Sequence, residues 1–354
     1  MDTGRRGRAA RGNPPGRFAR TRVEEVDDGW YREATPDSIA TRVEPDAARS
    51  VISRNDSPDV PFAQSINPYR GCEHGCIYCY ARPTHAYLGL SPGLDFETRL
   101  FYKRDAAARL RAELARPGYV CTPLALGANT DPYQPVEARL GITRSILELL
   151  LELRHPCTIV TKGVLVLRDL ELLAALAQQR LTQVFLSITT LDADLKRSLE
   201  PRAAAPEARL RAVRELHAAG VPVGVLVAPV IPAVNDAELE RIVELAAAAG
   251  ASSAACLPLR LPHEVAGLFR DWLQAHLPQR AAHVMALVRA MRGGRDNDPR
   301  FGTRMRGTGP YAELLARRFE LACRRHGLAA REGQQLDTRA FRAPHAAGQL
   351  DLGL

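Results

Sequence analysis

The chain has 354 residues, 46% hydrophobic and 25% charged, with a net charge of +8. That is enough apolar material for a core and excludes a wholly disordered chain. The apolar run 218–234 carries Pro222, Pro229 and Pro232, which excludes a membrane-spanning helix there.

Residues 1–22 hold seven Arg against one Asp, in Arg/Gly/Pro/Ala sequence without periodicity. They read as disordered, and residues 23–60 as a loosely packed lead-in. No apolar signal core follows Met1, and Gly4, Gly7, Gly12, Pro14, Pro15 and Gly16 break any transit-type helix, so a cytoplasmic protein is expected. From about Phe62 the pattern changes. A strand is predicted over 62–67, then a Cys-rich loop and a helix over 104–116. A strand follows over 120–127, a loop to Glu137 and a helix over 139–154. Further strands fall at 157–161, 182–188, 222–229 and 252–257. Helices fall at 168–180, 192–199, 206–219, 236–249 and 263–276. The strands are apolar at nearly every position, as strands covered on both faces are.

Six strand–helix alternations imply parallel strands with right-handed crossovers. Neither a Gly-x-Gly-x-x-Gly fingerprint nor a Walker loop is present, which favours a partial (β/α)6 barrel of the α/β class over a nucleotide-binding doubly wound sheet. Beyond 278 the alternation stops. Helices are predicted over 281–291 and 310–326, with Gly327 as C-cap. The expected organisation is a basic tail and lead-in over 1–60, the barrel over 61–278 and an Arg-rich helical extension over 279–354.

Residues 280–331 hold twelve Arg against four acids. A basic tail and a basic C-terminal face suit nucleic acid or another polyanion. A compositional bias competes with this, since all but Lys103, Lys162 and Lys196 of the 48 basic residues are Arg. The stretch from Arg304 to Tyr311 has the Gly and Arg to bind an anion, or simply to start a capped helix.

Of seven cysteines, Cys72, Cys76 and Cys79 fall in the segment Asn67-Pro68-Tyr69-Arg70-Gly71-Cys72-Glu73-His74-Gly75-Cys76-Ile77-Tyr78-Cys79-Tyr80-Ala81-Arg82. The odd total argues against a disulfide framework. Three thiolates this close suit one soft metal centre, and Gly71 and Gly75 permit the tight backbone around it. Zinc would want a fourth ligand, such as His74 or His85. An iron–sulfur cluster held by three Cys would leave one iron open. Both readings stand on the residues alone, as does an iron–sulfur electron carrier.

The spacing C-x3-C-x2-C, with Tyr78 before the third Cys and after the first strand, resembles the radical S-adenosylmethionine superfamily. Within it, Asn67-Pro68-Tyr69, Tyr78 to Arg82, Thr130-Asp131-Pro132-Tyr133-Gln134-Pro135, Val160-Thr161-Lys162 and Phe185-Leu186-Ser187-Ile188 resemble the branch around spore photoproduct lyase. The resemblance covers roughly residues 60–275. It implies that Cys72, Cys76 and Cys79 hold a 4Fe-4S cluster, that S-adenosylmethionine chelates the open iron, and that reduction releases a 5′-deoxyadenosyl radical. A flavodoxin- or ferredoxin-type reductant is then expected.

By the same resemblance Tyr78 lies near the adenine, and Asn129, Thr130 and Asp131 are candidates for the methionine ammonium. Lys162 is a candidate for the methionine carboxylate, and Ser187 for a further cofactor contact. Arg202 is a weaker candidate anion ligand. The lyase branch carries an extra thiol after its second strand. The stretch 127–131 here has none, which argues against the same reaction on DNA. Cys256 is placed near the end of the sixth strand, Cys121 near the start of the second, and Cys157 and Cys323 in the core. No catalytic residue follows from the sequence, and the substrate is open, with nucleic acid the leading expectation from the basic ends and the lyase-like motifs.

Overall fold

The structure, a computed structural model, describes residues 7–19, 38–330 and 335–344. Six parallel strands lie side by side in chain order: β1 Gln64–Ile66, β2 Leu124–Leu126, β3 Cys157–Thr161, β4 Thr182–Ser187, β5 Val223–Val230 and β6 Ser253–Pro258. Each joins the next through helix, so every strand runs the same way and the C-terminal ends open on one face. Ile52–Arg54 adds antiparallel to β1, and Ala329–Ala330 adds parallel to β6, covering the two edges. This is a partial (β/α)6 barrel of the α/β class.

The intervening helices are α1 Ala106–Leu114, α2 Ile142–Glu152, α3 Leu170–Gln178, α4 Pro206–Ala218, α5 Leu239–Ala248 and α6 Val265–His276. In α2 the buried side chains Ile142, Ile146, Leu147, Leu149 and Leu150 recur at helical spacing and pack on the sheet. The strand interiors are equally closed: Leu126, Ile159, Val184, Leu186 and Val225 are all buried. Two further helices, α7 Pro278–Ala290 and α8 Pro310–His326, follow. Gly327 ends α8 in the left-handed conformation, as the sequence predicts.

Three features depart from the expectations. β2 is confined to Leu124–Leu126, because Pro123 cannot donate to a ladder, and Cys121 is left outside the strand. A small second sheet forms from Arg42–Pro45, Tyr69–Arg70 and Arg99–Tyr102, where no strand was predicted. Its pieces are two to four residues long and mixed in polarity, so they carry no readable period. Residues 7–19 of the basic tail are placed and partly buried rather than free, with Ala9 and Ala10 in the core. The remainder of the predicted disordered segment falls largely outside the described residues. Among the described residues no helix is long and apolar enough to cross a membrane.

Leu150 is wholly buried between α2 and the sheet, whereas Glu148 on the opposite face is exposed. Leu150→Ala is expected to cost about 2–5 kcal/mol in chemical denaturation. Glu148→Ala should stay within about 0.5 kcal/mol of the parent.

Candidate functional site

The Cys loop leaves the C-terminal end of β1 and is built from buried polar anchors. Gly71 and Gly75 have φ of +77° and +67°. A Cβ on Gly71 would meet Leu100 at 2.6 Å and the Phe96 carbonyl at 2.9 Å, and one on Gly75 would meet the Glu97 carboxylate at 2.8 Å. Both positions therefore need glycine on two counts, conformation and space. The Cys72 amide donates to the Phe96 carbonyl at 2.9 Å and the Ile77 amide to the Leu199 carbonyl at 3.0 Å. Gln134 clamps the loop from the other side. Its carbonyl oxygen accepts from the Glu73 amide, and its amide nitrogen donates to the Gly71 carbonyl.

Beneath the loop sits Arg82, fully buried. Its guanidinium donates to the carbonyls of Cys76 at 2.8 Å, Gly75 at 2.9 Å, Pro92 at 3.1 Å and Gly93 at 2.9 Å. The charge is met by Glu97 at 2.5 Å, itself buried. The Glu97 carboxylate also accepts from the amides of Ala9 and Ala10. Arg8 then donates to the Glu97 and Ile39 carbonyls and to the Thr41 hydroxyl. The tail thus straps the underside of the loop.

Cys72, Cys76 and Cys79 are free thiols, Cys72 and Cys76 buried and Cys79 half-buried. Burial pushes all three thiols up, Cys76 to about 12. Among the described residues no group of three His, Cys, Asp or Glu is closed around a single ion. The three soft donors, on a loop shaped by two glycines and pinned through its carbonyls, fit an iron–sulfur core rather than an oxygen-liganded cation.

The barrel mouth brings the other candidates to this loop. Thr161 is level with Leu186 across the β3–β4 ladder, so Lys162 comes to the height of Ser187. The Lys162 ammonium lies 5.9 Å from the centre of the Tyr78 ring. The Tyr78 hydroxyl donates to Glu200 and lies 3.2 Å from the Thr189 hydroxyl. Glu200 is buried and also accepts from Thr189 and from Arg209, which donates onward to the Ser187 carbonyl. Burial alone would raise the Glu200 pKa, but Arg209, Lys162 and its two hydroxyl donors hold it at about 2.

Asp131 is engaged on both oxygens. It accepts from the Thr161 hydroxyl at 2.6 Å, the Tyr133 amide at 2.9 Å and the Lys162 amide at 2.7 Å, and it pairs with His74 at 3.2 Å. Burial works against its charge, yet His74 and these donors hold its pKa at about 2. The amides of Asn129 and Thr130 both donate to Asn67, and the Thr130 hydroxyl donates to the Tyr69 carbonyl. Asp131 and Thr130 therefore lock the loop after β2 to the Cys loop and to β3. Arg202 faces Glu73 at 3.1 Å, which supplies its counter-charge. His85 lies under the loop with its Nε2 at the Arg99 carbonyl, and burial lowers its pKa to about 4. Cys157 and Cys323 are buried in the core; Cys256 is half-buried against it.

Sequence reasoning missed Arg82 as an anchor, and with it Glu97, Gln134, Glu200 and Arg209. Arg82 and Gln134 stand inside the motifs already quoted, but nothing in a motif distinguishes a loop anchor from a ligand. Glu97 and Arg209 lie outside every motif.

A family model described as the Radical SAM superfamily matches residues 66–246. An uncharacterized protein of Mycobacterium tuberculosis is 40% identical over 232 residues, 65% of this chain and 68% of that protein. An uncharacterized protein of Acidianus two-tailed virus is 32% identical over 217 residues, 59% of this chain and 68% of that protein. Among solved structures, a spore photoproduct lyase variant with bound AdoMet and dinucleoside spore photoproduct superimposes with a TM-score of 0.56. It is 17% identical and covers 82% of each chain, a likeness of fold.

Replacing Arg82 by Met leaves Glu97 buried without its cation, and a loss of about 3–5 kcal/mol is expected on denaturation. Glu200 carries a folded pKa of about 2 against an ordinary 4.5. Its contribution is complete above pH 4.5 and is lost as pH falls towards 2, because the unfolded chain takes up the proton first. Acid titration of Glu200→Gln should therefore show a flatter decline of stability over that window than the parent.

Proposed function

The chain belongs to the Radical SAM superfamily, and from that premise we propose that Cys72, Cys76 and Cys79 hold one 4Fe-4S cluster at the barrel mouth. It is an enzyme of the radical type that cleaves S-adenosylmethionine, using that molecule with an iron–sulfur cluster. The observation that carries the cluster reading is the loop itself. Three soft donors stand on a backbone whose carbonyls at Gly75 and Cys76 are both fixed by one buried guanidinium.

Held by Cys72, Cys76 and Cys79, the cluster would supply the electron that splits a carbon–sulfur bond of S-adenosylmethionine and so opens the way to hydrogen abstraction. This chain's own residues bind and orient. Lys162, held by its amide on Asp131, offers its ammonium to the methionine carboxylate as a charge-assisted donor. The Asn129 side chain offers its carbonyl oxygen to the methionine ammonium. Thr130 and Asp131 act by fixing that loop, since their side-chain oxygens are already used. Tyr78, oriented by Glu200, presents its ring beside Lys162 and suits the adenine. Ser187, buried at the end of β4, lines the same mouth. The burial of Cys72, Cys76 and Tyr78 keeps water from the reacting centre. A dedicated protein reductant of flavodoxin or ferredoxin type is expected to supply the electron.

Reconstituted without oxygen and reduced, the parent protein is expected to show broad visible iron–sulfur absorbance and to form 5′-deoxyadenosine from S-adenosylmethionine. Cys72→Ala, Cys76→Ala and Cys79→Ala should each lose both. A variant that keeps both, or a parent that loads zinc in place of iron and sulfide, would overturn the assignment. Lys162→Ala should retain the absorbance while weakening S-adenosylmethionine binding by about tenfold or more, as expected for loss of one charged hydrogen bond.

A further inference from the structure

Beside the mouth lies a second cationic cluster that none of the steps above uses. Arg260 follows β6 by two residues, so it stands on the same face as the Cys loop. The loop between α7 and α8 folds back over it. Arg292, 1% exposed, ties the two together by donating to the carbonyls of Pro258, Leu259, Thr303 and Arg304. Asp59 pins the same loop through the Gly302 amide at 2.7 Å and the Arg304 guanidinium at 2.5 Å. The result is a fixed pair, Arg260 and Arg304, close enough that burial and then the charge of Arg304 lower the pKa of Arg260.

Arg260 differs from the arginines that anchor the fold through ion pairs, a difference Arg292 shares although it spends its donors on four carbonyls. Arg82, Arg209 and Arg318 each meet a carboxylate. Arg260 meets none. Its Nη1 points at the Met305 sulfur at 3.1 Å, a weak acceptor, and its Nε is buried with no hydrogen-bond partner among the described residues. An Arg held half-buried with no anion in contact costs free energy that an incoming anion recovers.

The neighbours indicate what kind of anion. Tyr80, next to Cys79, is 49% exposed and lies within electrostatic reach of Arg260. Phe301 is 59% exposed, with the Arg304 guanidinium over its ring at 4.5 Å. Exposed rings alternating with guanidinium groups suit unpaired bases joined by phosphates, because each ring offers a stacking face and each cation a backbone contact. An acidic peptide would use the cations but leave the rings bare.

We propose that Arg260, with Arg304, Tyr80 and Phe301, forms a phosphate-and-base clamp that delivers single-stranded nucleic acid to the barrel mouth, the phosphate taking the place of Met305 against Arg260. The proposal rests on the radical-enzyme reading for its purpose, but its binding test does not require cofactor cleavage.

The test is fluorescence anisotropy of a short end-labelled single-stranded oligonucleotide with the full-length protein, across a salt series. The parent should bind, more weakly as salt rises. Arg260→Gln should weaken binding about tenfold or more. It should also reduce the dependence of log affinity on log salt by about one. Phe301→Ala, a change at an exposed site, should also weaken binding about tenfold, the loss expected for one stacked base. Arg325→Gln, an exposed arginine of α8 away from the clamp, controls for bulk charge and should change affinity less than about twofold. Equal binding by parent, Arg260→Gln and Phe301→Ala would overturn the proposal, as would preference of the parent for polyglutamate over the oligonucleotide. Iron–sulfur absorbance is recorded for every sample. If it never forms while Arg260-dependent binding persists, the enzyme reading falls and the clamp stands. If it forms but binding ignores Arg260, the reverse holds.

Discussion

The buried pair of Arg82 and Glu97 is the constraint on which the site depends. A loop that brings three cysteines together does not also satisfy its own backbone by pairing in a sheet. Arg82 resolves this by giving its fixed fork of donors to four carbonyls that would otherwise be stranded. Such a guanidinium is costly to desolvate, so it requires Glu97, and Glu97 in turn requires the amides of Ala9 and Ala10. The chain of need runs outward from the loop until it reaches backbone. A pair of this sort adds little net stability, and what it supplies here is a single conformation for a loop that glycine makes permissive.

The same logic repeats on the opposite wall. Glu200, buried, and Asp131, nearly so, are acids kept ionised by their neighbours. Each fixes a group facing the mouth, Tyr78 in one case and the backbone of Lys162 in the other. The barrel supplies rigid strand ends, and these two carboxylates transmit that rigidity to the loops. The negative charge they place behind the mouth also balances the cations in front of it.

The architecture was legible where the chain repeats itself. Six apolar strands alternating with Leu- and Ala-rich helices leave few alternatives, and Cys157–Thr161 falls where the pattern put it. That Cys72, Cys76 and Cys79 share one loop was legible from their spacing. The second sheet was not, since Arg42–Pro45 and Arg99–Tyr102 are too short to show a period and pair through backbone groups that every residue carries. The tail was misread for a different reason. Its composition is that of a disordered segment, yet Ala9 and Ala10 bind through main-chain N–H groups, which composition does not report. Asp131 and Thr130 were found as polar candidates, but which way their oxygens turn is decided by Thr161 and Tyr69, elements remote in sequence.

The strap over the Cys loop has a consequence for how the molecule is made. Its contacts reach from Ala9 to Glu97 and from Arg17 to Glu264, so residues that leave the ribosome early wait for partners synthesised much later. Until Glu97 emerges the loop has neither its arginine clamp's counter-charge nor its cover. Docking of the tail is therefore completed only once the chain has been made through Glu264, which makes the cover of the loop a late event in folding.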